Sequence, residues 1–284
     1  MQIFESIKSI QAFLSVKKQQ GCSIGFVPTM GALHQGHLTL IERAKTDNDV
    51  VVCSIYVNPT QFNNTFDLEK YPRNVDRDKI LLENAECDVL FYPSDEIMYP
   101  EGKDDSMKLD FGALDKVLEG EFRPGHFSGV GLILSKFFHI VSADSVYFGQ
   151  KDLQQCSIVQ KLIDTLFFDI QLVVVPTVRE KSGLAMSSRN ARLSNEGKEV
   201  AANLYETLMK VREMLQNGED LNKAKQTGIN SIKKYKEIQL EYLEVVDRKS
   251  FTQATGNTSK KEIAICVAAF IEGVRLIDNV LVFS

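Results

Sequence analysis

The chain reads Pro28-Thr29-Met30-Gly31-Ala32-Leu33-His34-Gln35-Gly36-His37. A short apolar run at residues 23–27 precedes this stretch and has the length of a buried strand. Residues 37–45 follow it, with Leu38, Ile41 and Ala44 at helical spacing. The pattern therefore predicts a strand, a glycine-containing turn, and a helix that begins at the His-x-Gly-His sequence.

The start of this helix is suited to binding phosphate. Backbone N–H groups and the positive end of the helix dipole attract anions there, and Gly31 and Gly36 allow a ligand to approach the backbone. His34 and His37 lie on one side of the first turn, where two imidazoles can donate hydrogen bonds to phosphate oxygens and stabilise a leaving pyrophosphate. Taken alone, the pair could also ligate a metal, although no Cys/His cluster supplies further ligands, or be incidental in a surface turn.

Composition narrows the class of protein. The 284 residues, 44% hydrophobic and 25% charged, are those of an ordinary globular protein with one large or two smaller domains. A net charge of -5 gives no sign of nucleic-acid binding, and no apolar run approaches the about 20 residues of a membrane span. The N-terminus lacks a signal-peptide pattern. Five scattered cysteines without a CxxC favour a reducing, cytoplasmic location.

Strand and helix patterns alternate through the first part of the chain. A first helix is predicted at residues 3–20. Further helical patterns separate the strand candidates that follow, which lie at 49–57, 88–92, 145–148 and 170–175. This alternation predicts an α/β fold, a Rossmann-like doubly wound parallel sheet over residues 1–178.

The organisation changes after residue 178. Residues 179–190 are polar, contain Gly183, and are predicted to form a mobile linker that carries Met186-Ser187-Ser188-Arg189. Residues 191–284 are predicted to form a smaller C-terminal α+β domain that acts as a lid. Its predicted helices lie at 194–216 and 219–236, and its strands at 239–246, 261–269 and 274–283.

Polar residues follow each predicted strand, and ligands of open α/β sheets bind beyond the carboxyl ends of the strands. These segments are rich in amides, histidine, lysine and arginine but poor in carboxylates: 28–37, 58–62, 149–155, 176–179 and, further on, 186–189. Such a set suits a polyphosphate and a small polar acid. It differs from the paired carboxylates of glycosidases and from a Ser/His/Asp triad, and neither a Walker A motif nor a complete dinucleotide fingerprint is present.

Two of these segments resemble the signatures of the HIGH-type nucleotidyltransferase superfamily: His34–His37 and Met186–Arg189. More narrowly, the chain resembles the pantoate–β-alanine ligase family over nearly its whole length. Seven blocks carry the resemblance in order: 26–37, 57–62, 71–73, 118–130, 147–155, 176–180 and 183–190. The chain departs from the family pattern at three positions: Leu132 stands where Thr is usual, His139 where Asn is usual, and Asn74 where Thr is usual.

The resemblance implies an ATP-dependent condensation of pantoate with β-alanine through pantoyl adenylate, with release of AMP and pyrophosphate. It implies that ATP is bound by Met30, Gly31, Ala32, Leu33, His34, Gln35, Gly36, His37, Gly149, Gln150, Lys151, Asp152, Val178, Met186, Ser187, Ser188 and Arg189. The catalytic roles fall to His37, His34, Lys151, Ser187, Ser188 and Arg189, and the substrate contacts to Gln61, Gln155 and Arg123. Mg²⁺ is expected on the phosphates without a named protein ligand, and a homodimer through the N-terminal domain is expected.

Two alternatives share the same sequence features. Another HIGH-type adenylate-forming ligase or nucleotidyltransferase, such as a tRNA synthetase fragment, would carry both signatures, but the acidic charge and the lack of a basic tRNA-binding region count against it. A nucleotide-sensing module that signals through the C-terminal domain is the alternative that is not an enzyme.

Overall fold

The structure is a computed structural model that describes residues 1–102, 107–256 and 258–283. Contacts divide the chain into two compact units. The N-terminal unit consists of Met1–Asp115, Glu119–Gly149 and Gln155–Pro176, and the C-terminal unit of Lys116–Leu118, Gln150–Gln154 and Thr177–Ser284. Two short segments that precede residue 177 in the sequence therefore belong with the C-terminal unit.

The N-terminal unit is built on a six-stranded parallel sheet with the order β1-β4-β3-β2-β5-β6. The strands are β1 Gln2–Phe4, β2 Ile24–Thr29, β3 Val50–Ile55, β4 Val89–Phe91, β5 Ser145–Gly149 and β6 Gln171–Val175. Every residue of β3 is buried, as expected of a central parallel strand that is covered on both faces. The predicted Rossmann-like sheet is confirmed.

Helices lie between these strands and cover the sheet. They are α1 Ile7–Gln19, α2 Gln35–Asp47, α3 Thr65–Glu69, α4 Val75–Asn84, α5 Asp95–Met98, α6 Glu119–Phe122, α7 His126–Val141 and α8 Leu153–Leu166, with 3₁₀ turns at Pro59–Gln61, Gly112–Lys116 and Gln150–Asp152. Helix α2 packs Leu40, Ile41 and Ala44 into the core that contains Val27 and Val51. The helical spacing of these three residues thus places one face of α2 against the strands of the sheet.

The predicted helix over residues 3–20 is wrong at its beginning. Gln2–Phe4 forms β1 and pairs with Val89–Phe91 of β4, and α1 begins only after Ser6. Ser6 is the N-cap, because its side chain accepts the backbone N–H of Ser9. The helical spacing of Ile3 with the later isoleucines is therefore coincidental, since a distant strand determines its conformation.

The order of the sheet reverses between β2 and β5. These neighbours pair through Gly25 with Ser145 and Phe26 with Val146, while the chain winds outward from them in both directions. In sheets of this kind the crevice outside the carboxyl ends at the reversal point is where ligands bind. Strand β2 runs directly from this edge into Met30–His37, and β5 ends there at Gly149.

The C-terminal unit is an α+β structure, as predicted. Three antiparallel strands, β7 Gln239–Asp247, β8 Ile263–Ile271 and β9 Val274–Leu281, pack with α9 Asn195–Gln216 and α10 Leu221–Ile232; 3₁₀ turns lie at Ser188–Arg192 and Lys260–Glu262. Leu204, Leu208 and Val211 recur on one face of α9 and enter the core with β8. None of the helices in the described ranges is long and apolar enough to span a membrane.

The segment 179–190 packs into the C-terminal unit more than its polar sequence indicates. Leu184 and Ala185 are buried, and Arg179 forms a β-bridge with Ala185. The buried Asn190 side chain donates to the carbonyl of Ala185 at 3.0 Å and to Glu180 at 3.1 Å. Mobility of this segment without ligand stays a prediction. Any such motion has to break these contacts or move the contacting residues together.

Candidate active site

The two histidines form the N-terminal cap of α2. His34 is the N-cap residue, and its Nδ1 accepts the backbone N–H of Gly36 at 3.1 Å. The Nδ1 of His37 accepts the backbone N–H of His34 at 3.3 Å, and the two ring centroids lie 4.1 Å apart. A nitrogen that accepts a hydrogen bond carries no proton, so each neutral ring carries its proton on Nε2. The cap therefore determines the tautomer of both imidazoles.

The turn before the cap is held by a buried carboxylate. Gly31 and Ala32 both have positive φ angles, 77° and 50°, and a Cβ on Gly31 would lie 3.0 Å from Asp78. Asp78, only 1% exposed, accepts the N–H groups of Ala32 and Leu33 at 2.8 Å each. Burial raises the pKa of Asp78 above its usual value, while these N–H bonds oppose the shift. The carboxylate thus fixes the backbone that leads into His34.

Gln61 is the buried residue of the Pro59–Gln61 3₁₀ turn after β3. Its Nε2 contacts the Sδ of Met30 at 2.9 Å, and its Oε1 accepts from the Nδ2 of Asn58 at 3.3 Å. That same Nδ2 donates to the carbonyl of Gly129 at 3.1 Å, which ties the turn to α7. A Cβ on Gly129 would lie 2.4 Å from the carbonyl oxygen of Thr60, so only glycine permits this approach.

A buried histidine connects Gln61 to Arg123. Nη1 of Arg123 lies 3.0 Å from Nε2 of His126, and Nδ1 of His126 lies 2.8 Å from the carbonyl oxygen of Gln61. Because a guanidinium can only donate, Nε2 accepts and Nδ1–H donates to Gln61. Glu119 lies 3.7 Å from the same guanidinium. Arg123 therefore supports the backbone of Gln61 through His126.

A cavity of about 360 Å³ opens beside this turn, beyond the carboxyl ends of β2, β3 and β4. Met30, Asp78, Asp95 and Arg73 are among the residues that line it. Arg73 donates to the backbone carbonyls of Tyr71 and Leu68, at 3.2 Å and 3.1 Å, so it holds the chain between α3 and α4. This volume lies at the lower end of the range for small-molecule pockets.

Apart from Gly149, the remaining predicted nucleotide ligands lie in the C-terminal unit. Lys151 belongs to the Gln150–Asp152 turn, and its Nζ lies 3.4 Å from Asp152. Ser187 caps the Ser188–Arg192 turn by accepting the N–H of Arg189 at 3.3 Å. The N–H of Met186 donates to the carbonyl of Val178 at 3.0 Å, so these two predicted ligands are paired directly.

The structure thus groups the predicted residues into two sets. In the N-terminal unit, the helix start at Met30–His37 contacts Gln61 through Met30, and Arg123 reaches Gln61 through His126. Gln155, in the first turn of α8, is half-buried in the same unit, as is Gly149 at the end of β5. The second set comprises Gln150, Lys151, Asp152, Val178 and Met186–Arg189.

Several residues that support this site were not predicted from the sequence. Asn58 and His126 lie within the blocks 57–62 and 118–130 that carry the family resemblance, but neither was predicted to be a site residue. For Asn58 a signal was present, because an amide directly after a buried strand lies where ligands of such sheets bind. Asp78 gives no such signal, because it lies within the helical pattern of α4 and contacts Ala32 across 46 residues of sequence. The buried pair Asp278 and Asn279, within the apolar pattern of β9, was likewise not identified.

The sheet order defines a Rossmann-like α/β protein, and the helix that begins at the histidine pair lies beyond the carboxyl end of β2, next to the reversal point. Comparison with known proteins makes the class specific. The Pantoate-beta-alanine ligase family profile matches residues 2–281, and the chain belongs to this family. It is therefore a ligase of pantothenate biosynthesis that joins pantoate to β-alanine, and the family and activity expected from the sequence are confirmed.

Individual relatives agree with this assignment over full length. The pantothenate synthetase of Cytophaga hutchinsonii is 47% identical over 278 residues, which cover 98% of each chain. That of Bacteroides fragilis is 43% identical over 280 residues, covering 99% of this chain and 98% of the relative. The crystal structure of pantothenate synthetase from Thermus thermophilus superposes with a TM-score of 0.93 at 38% identity, with complete coverage of both chains.

A further solved structure contains ligands. It is the pantoate-beta-alanine ligase of Francisella tularensis, described as complexed with beta-gamma ATP and beta-alanine. It matches with a TM-score of 0.82 and 36% identity, and the match covers 99% of this chain and 98% of that one.

Proposed function

We propose that the chain makes its product in two steps through pantoyl adenylate. In the first step a carboxylate oxygen of pantoate attacks the α-phosphorus of ATP, and the bond from that phosphorus to the β-bridging oxygen breaks. Pyrophosphate leaves with the electron pair of that bond. In the second step the amine of β-alanine attacks the acyl carbon, loses a proton, and AMP leaves with the former carboxylate oxygen. The overall products are the amide, AMP and pyrophosphate.

The arrangement of His34 and His37 is the observation that carries this proposal. Negative charge grows on the pyrophosphate oxygens as the bond to the α-phosphorus breaks. Nε2–H donors aimed at that charge stabilise the transition state more than the ground state, which is the requirement for catalysis. Because the cap uses both Nδ1 atoms as acceptors, each neutral ring keeps its proton on Nε2, the atom assigned here as the donor. His37, the second residue of the pair, is assigned as the proton donor.

ATP is assigned to Met30–His37 and Gly149 in the N-terminal unit, and to Gln150–Asp152, Val178 and Met186–Arg189 in the C-terminal unit. Lys151 and Arg189 supply positive charge for the phosphates, and Ser187 and Ser188 supply hydroxyl donors. Positioning and charge stabilisation are what phosphoryl-type transfers chiefly require. The resemblance to the family, together with the helix start at the sheet reversal, supports the assignment.

Pantoate is assigned to Gln61 and Gln155, since each carboxamide offers a donor and an acceptor to a hydroxy acid. The contacts of the buried Gln61 with Met30 and Asn58 hold its side chain in place, which supports a fixed recognition role. The family resemblance implies a direct substrate contact for Arg123; we propose instead that it acts through His126 on the backbone of Gln61. β-Alanine is placed near Gln61, where its amine reaches the acyl carbon.

Mg²⁺ is proposed to arrive on the ATP phosphates. Within the part of the chain that the structure describes, no group of three or more His, Cys, Asp or Glu lies together as a protein metal site. Phosphate oxygens and water commonly provide most Mg²⁺ ligands in nucleotide sites.

A homodimer through the N-terminal unit and a cytoplasmic location complete the proposal. Among the described residues β6 pairs with β5 alone, and Val174 on this edge strand is exposed. Phe167, at the end of α8, is 92% exposed beside the exposed Leu166. An apolar edge of this kind is normally covered. All five cysteines are thiols, which suits a reducing compartment.

Acceptor-dependent ATP–pyrophosphate exchange tests the proposed function. Pantoate alone should support exchange, because the first step needs no β-alanine. Exchange that depends on an amino acid instead would indicate a synthetase-like enzyme, and ATP binding without exchange would indicate a sensing module. With pantoate labelled by ¹⁸O in the carboxylate, one label should appear in AMP. Label in inorganic phosphate, with ADP as the nucleotide product, would contradict the adenylate step.

A further inference from the structure

Two adjacent polar residues are buried in β9 of the C-terminal unit. Asp278 is 5% exposed and Asn279 is 3% exposed, although the neighbouring strand positions belong to an apolar core. Buried polar side chains of this kind cost desolvation energy and are stable only when they are fully hydrogen-bonded. Their partners therefore indicate what the pair does.

Asn279 holds the turn that carries Lys151. Its Nδ2 donates to the backbone carbonyls of Gln150 and Lys151, each at 2.9 Å. Its Oδ1 lies 3.4 Å from the Nε2 of Gln150. Because carbonyl oxygens only accept, the orientation of the amide is determined by its surroundings. Residues 150–154 belong with the C-terminal unit by their contacts, and Asn279 provides a direct physical link.

Asp278 holds the segment that leads to Met186–Arg189. Its two carboxylate oxygens accept from the guanidinium of Arg179 at 2.6 Å and 2.9 Å. Arg179 also donates to the carbonyl of Gly183 at 3.1 Å and stacks on the ring of Tyr205, with 3.7 Å from its Cζ to the ring centroid. This bidentate, stacked arrangement holds the two ends of the 179–183 turn together, just before the Met186–Arg189 sequence.

We propose that Asp278 and Asn279 are positioning residues that hold the Lys151 turn and the Met186–Arg189 segment on one strand, as parts of one body. The inference rests on the proposed function, in which both segments bind the phosphates of ATP. Neither residue is assigned a contact with substrate. Asn279 acts by fixing the backbone from which Lys151 extends, and Asp278 acts by fixing Arg179. The strand thereby sets the spacing of two cationic groups that no local sequence could set.

The principal test is Asn279→Ala in the full-length enzyme, with Asn279→Ser as a milder variant that retains one donor. Loss of the amide leaves two turn carbonyls without these donors. We expect the KM for ATP in pantoate-dependent exchange to rise about 5- to 50-fold, with the KM for pantoate within about twofold of wild type. The KM for ATP of Asn279→Ser should lie between the values for wild type and Asn279→Ala. Backbone amides of residues 150–152 should exchange with deuterium faster than in wild type.

A Lys151→Ala background separates positioning from general destabilisation. If Asn279 acts through Lys151, adding Asn279→Ala there should change the KM for ATP by less than about threefold, because interacting residues are not additive. Glu241→Gln is the matched control: it weakens the contact of Glu241 with Arg275, which also lies on β9, at 3.0 Å. It should lower the melting temperature without raising the KM for ATP.

The outcomes distinguish the inference from the function on which it rests. Lys151→Ala with a wild-type ATP requirement would contradict the phosphate role of Lys151. If Lys151→Ala does raise that requirement but Asn279→Ala and Asn279→Ser do not, the positioning role alone is wrong. Fully additive effects, or a KM for ATP that rises equally in Glu241→Gln, would also overturn it.

Asp278 offers a second measurement on the other segment. Asp278→Asn keeps the size of the side chain but removes the charge that pairs with Arg179. We expect a rise in the KM for ATP that persists in the Lys151→Ala background and becomes small in an Arg189→Ala background. The reverse pattern would mean that Asp278 does not act through the Met186–Arg189 segment.

Discussion

His37→Ala should separate two roles that the structure gives one ring. The Nδ1 of His37 completes the cap of α2, at 3.3 Å from the backbone nitrogen of His34, and its Nε2–H is the proposed donor to the leaving pyrophosphate. Loss of a cap costs about 0.5–2 kcal/mol, and the long bond here places the cost near the lower end. For a chain of this size such a loss lowers the melting temperature by about 1–4 °C, so the protein stays folded.

The catalytic effect of the same change should be much larger. One transition-state donor is worth about 10²–10³ in turnover, or about 2.7–4 kcal/mol. This loss appears in kcat of the folded enzyme, whereas the loss of the cap appears in the melting temperature. The two effects can therefore be read independently by measuring pyrophosphate release at saturating substrates and thermal unfolding on the same preparation.

His37→Glu is the matched variant. A glutamate at the third helical position accepts the N-cap N–H in a capping box and favours the positive helix end, so stability should return to the wild-type level. An ionised carboxylate has no proton to donate, so turnover should stay as low as in His37→Ala or fall below it. A loss under threefold in well-folded His37→Ala would refute the donor role. Recovery of turnover in His37→Glu would show that the cap controls activity.

Three further predictions concern the pantoate site, the segment 179–190 and the buried carboxylate. Gln155→Ala should raise the KM for pantoate in ATP–pyrophosphate exchange by about 5- to 150-fold, because a ligand hydroxyl loses its partner, and should leave the ATP affinity nearly unchanged. Gln160 is an exposed glutamine of the same helix, and Gln160→Ala should change neither the KM for pantoate nor the ATP affinity. Limited proteolysis should cut within 179–190 and be slowed by ATP with pantoate, whereas cleavage indifferent to both would contradict the mobile-lid prediction. Burial raises the pKa of Asp78, so the contribution of this residue to stability is fully present below the unfolded-state pKa and is lost as pH rises through the folded-state pKa. The free energy of unfolding of wild type relative to Asp78→Asn should therefore fall from about pH 4 upward. A difference between the two proteins that does not change with pH would contradict this prediction.

Local sequence determines much of this protein because its signals are short-range. The apolar run of β3, the spacing in α2 and the pattern of α8 each fix a residue's conformation from neighbours a few positions away. The capping of α2 is equally local, since the histidines bond to backbone groups two and three residues distant. The alternation of these elements then leaves few topologies, and the parallel sheet follows. The position of the helix start at a strand end is a consequence of the same alternation.

Tertiary structure alone decides the contacts that hold the site in place. Gln2–Phe4 is a strand only because β4 lies beside it, 87 residues on in the register. Asp78 reaches the turn at Ala32 across 46 positions, and Asn279 reaches the Lys151 turn across 128. Nothing in the residues near Asp278 and Asn279 shows why an apolar strand should contain them. The reason lies in partners that only the folded chain brings within hydrogen-bonding distance, where a buried polar group must be satisfied.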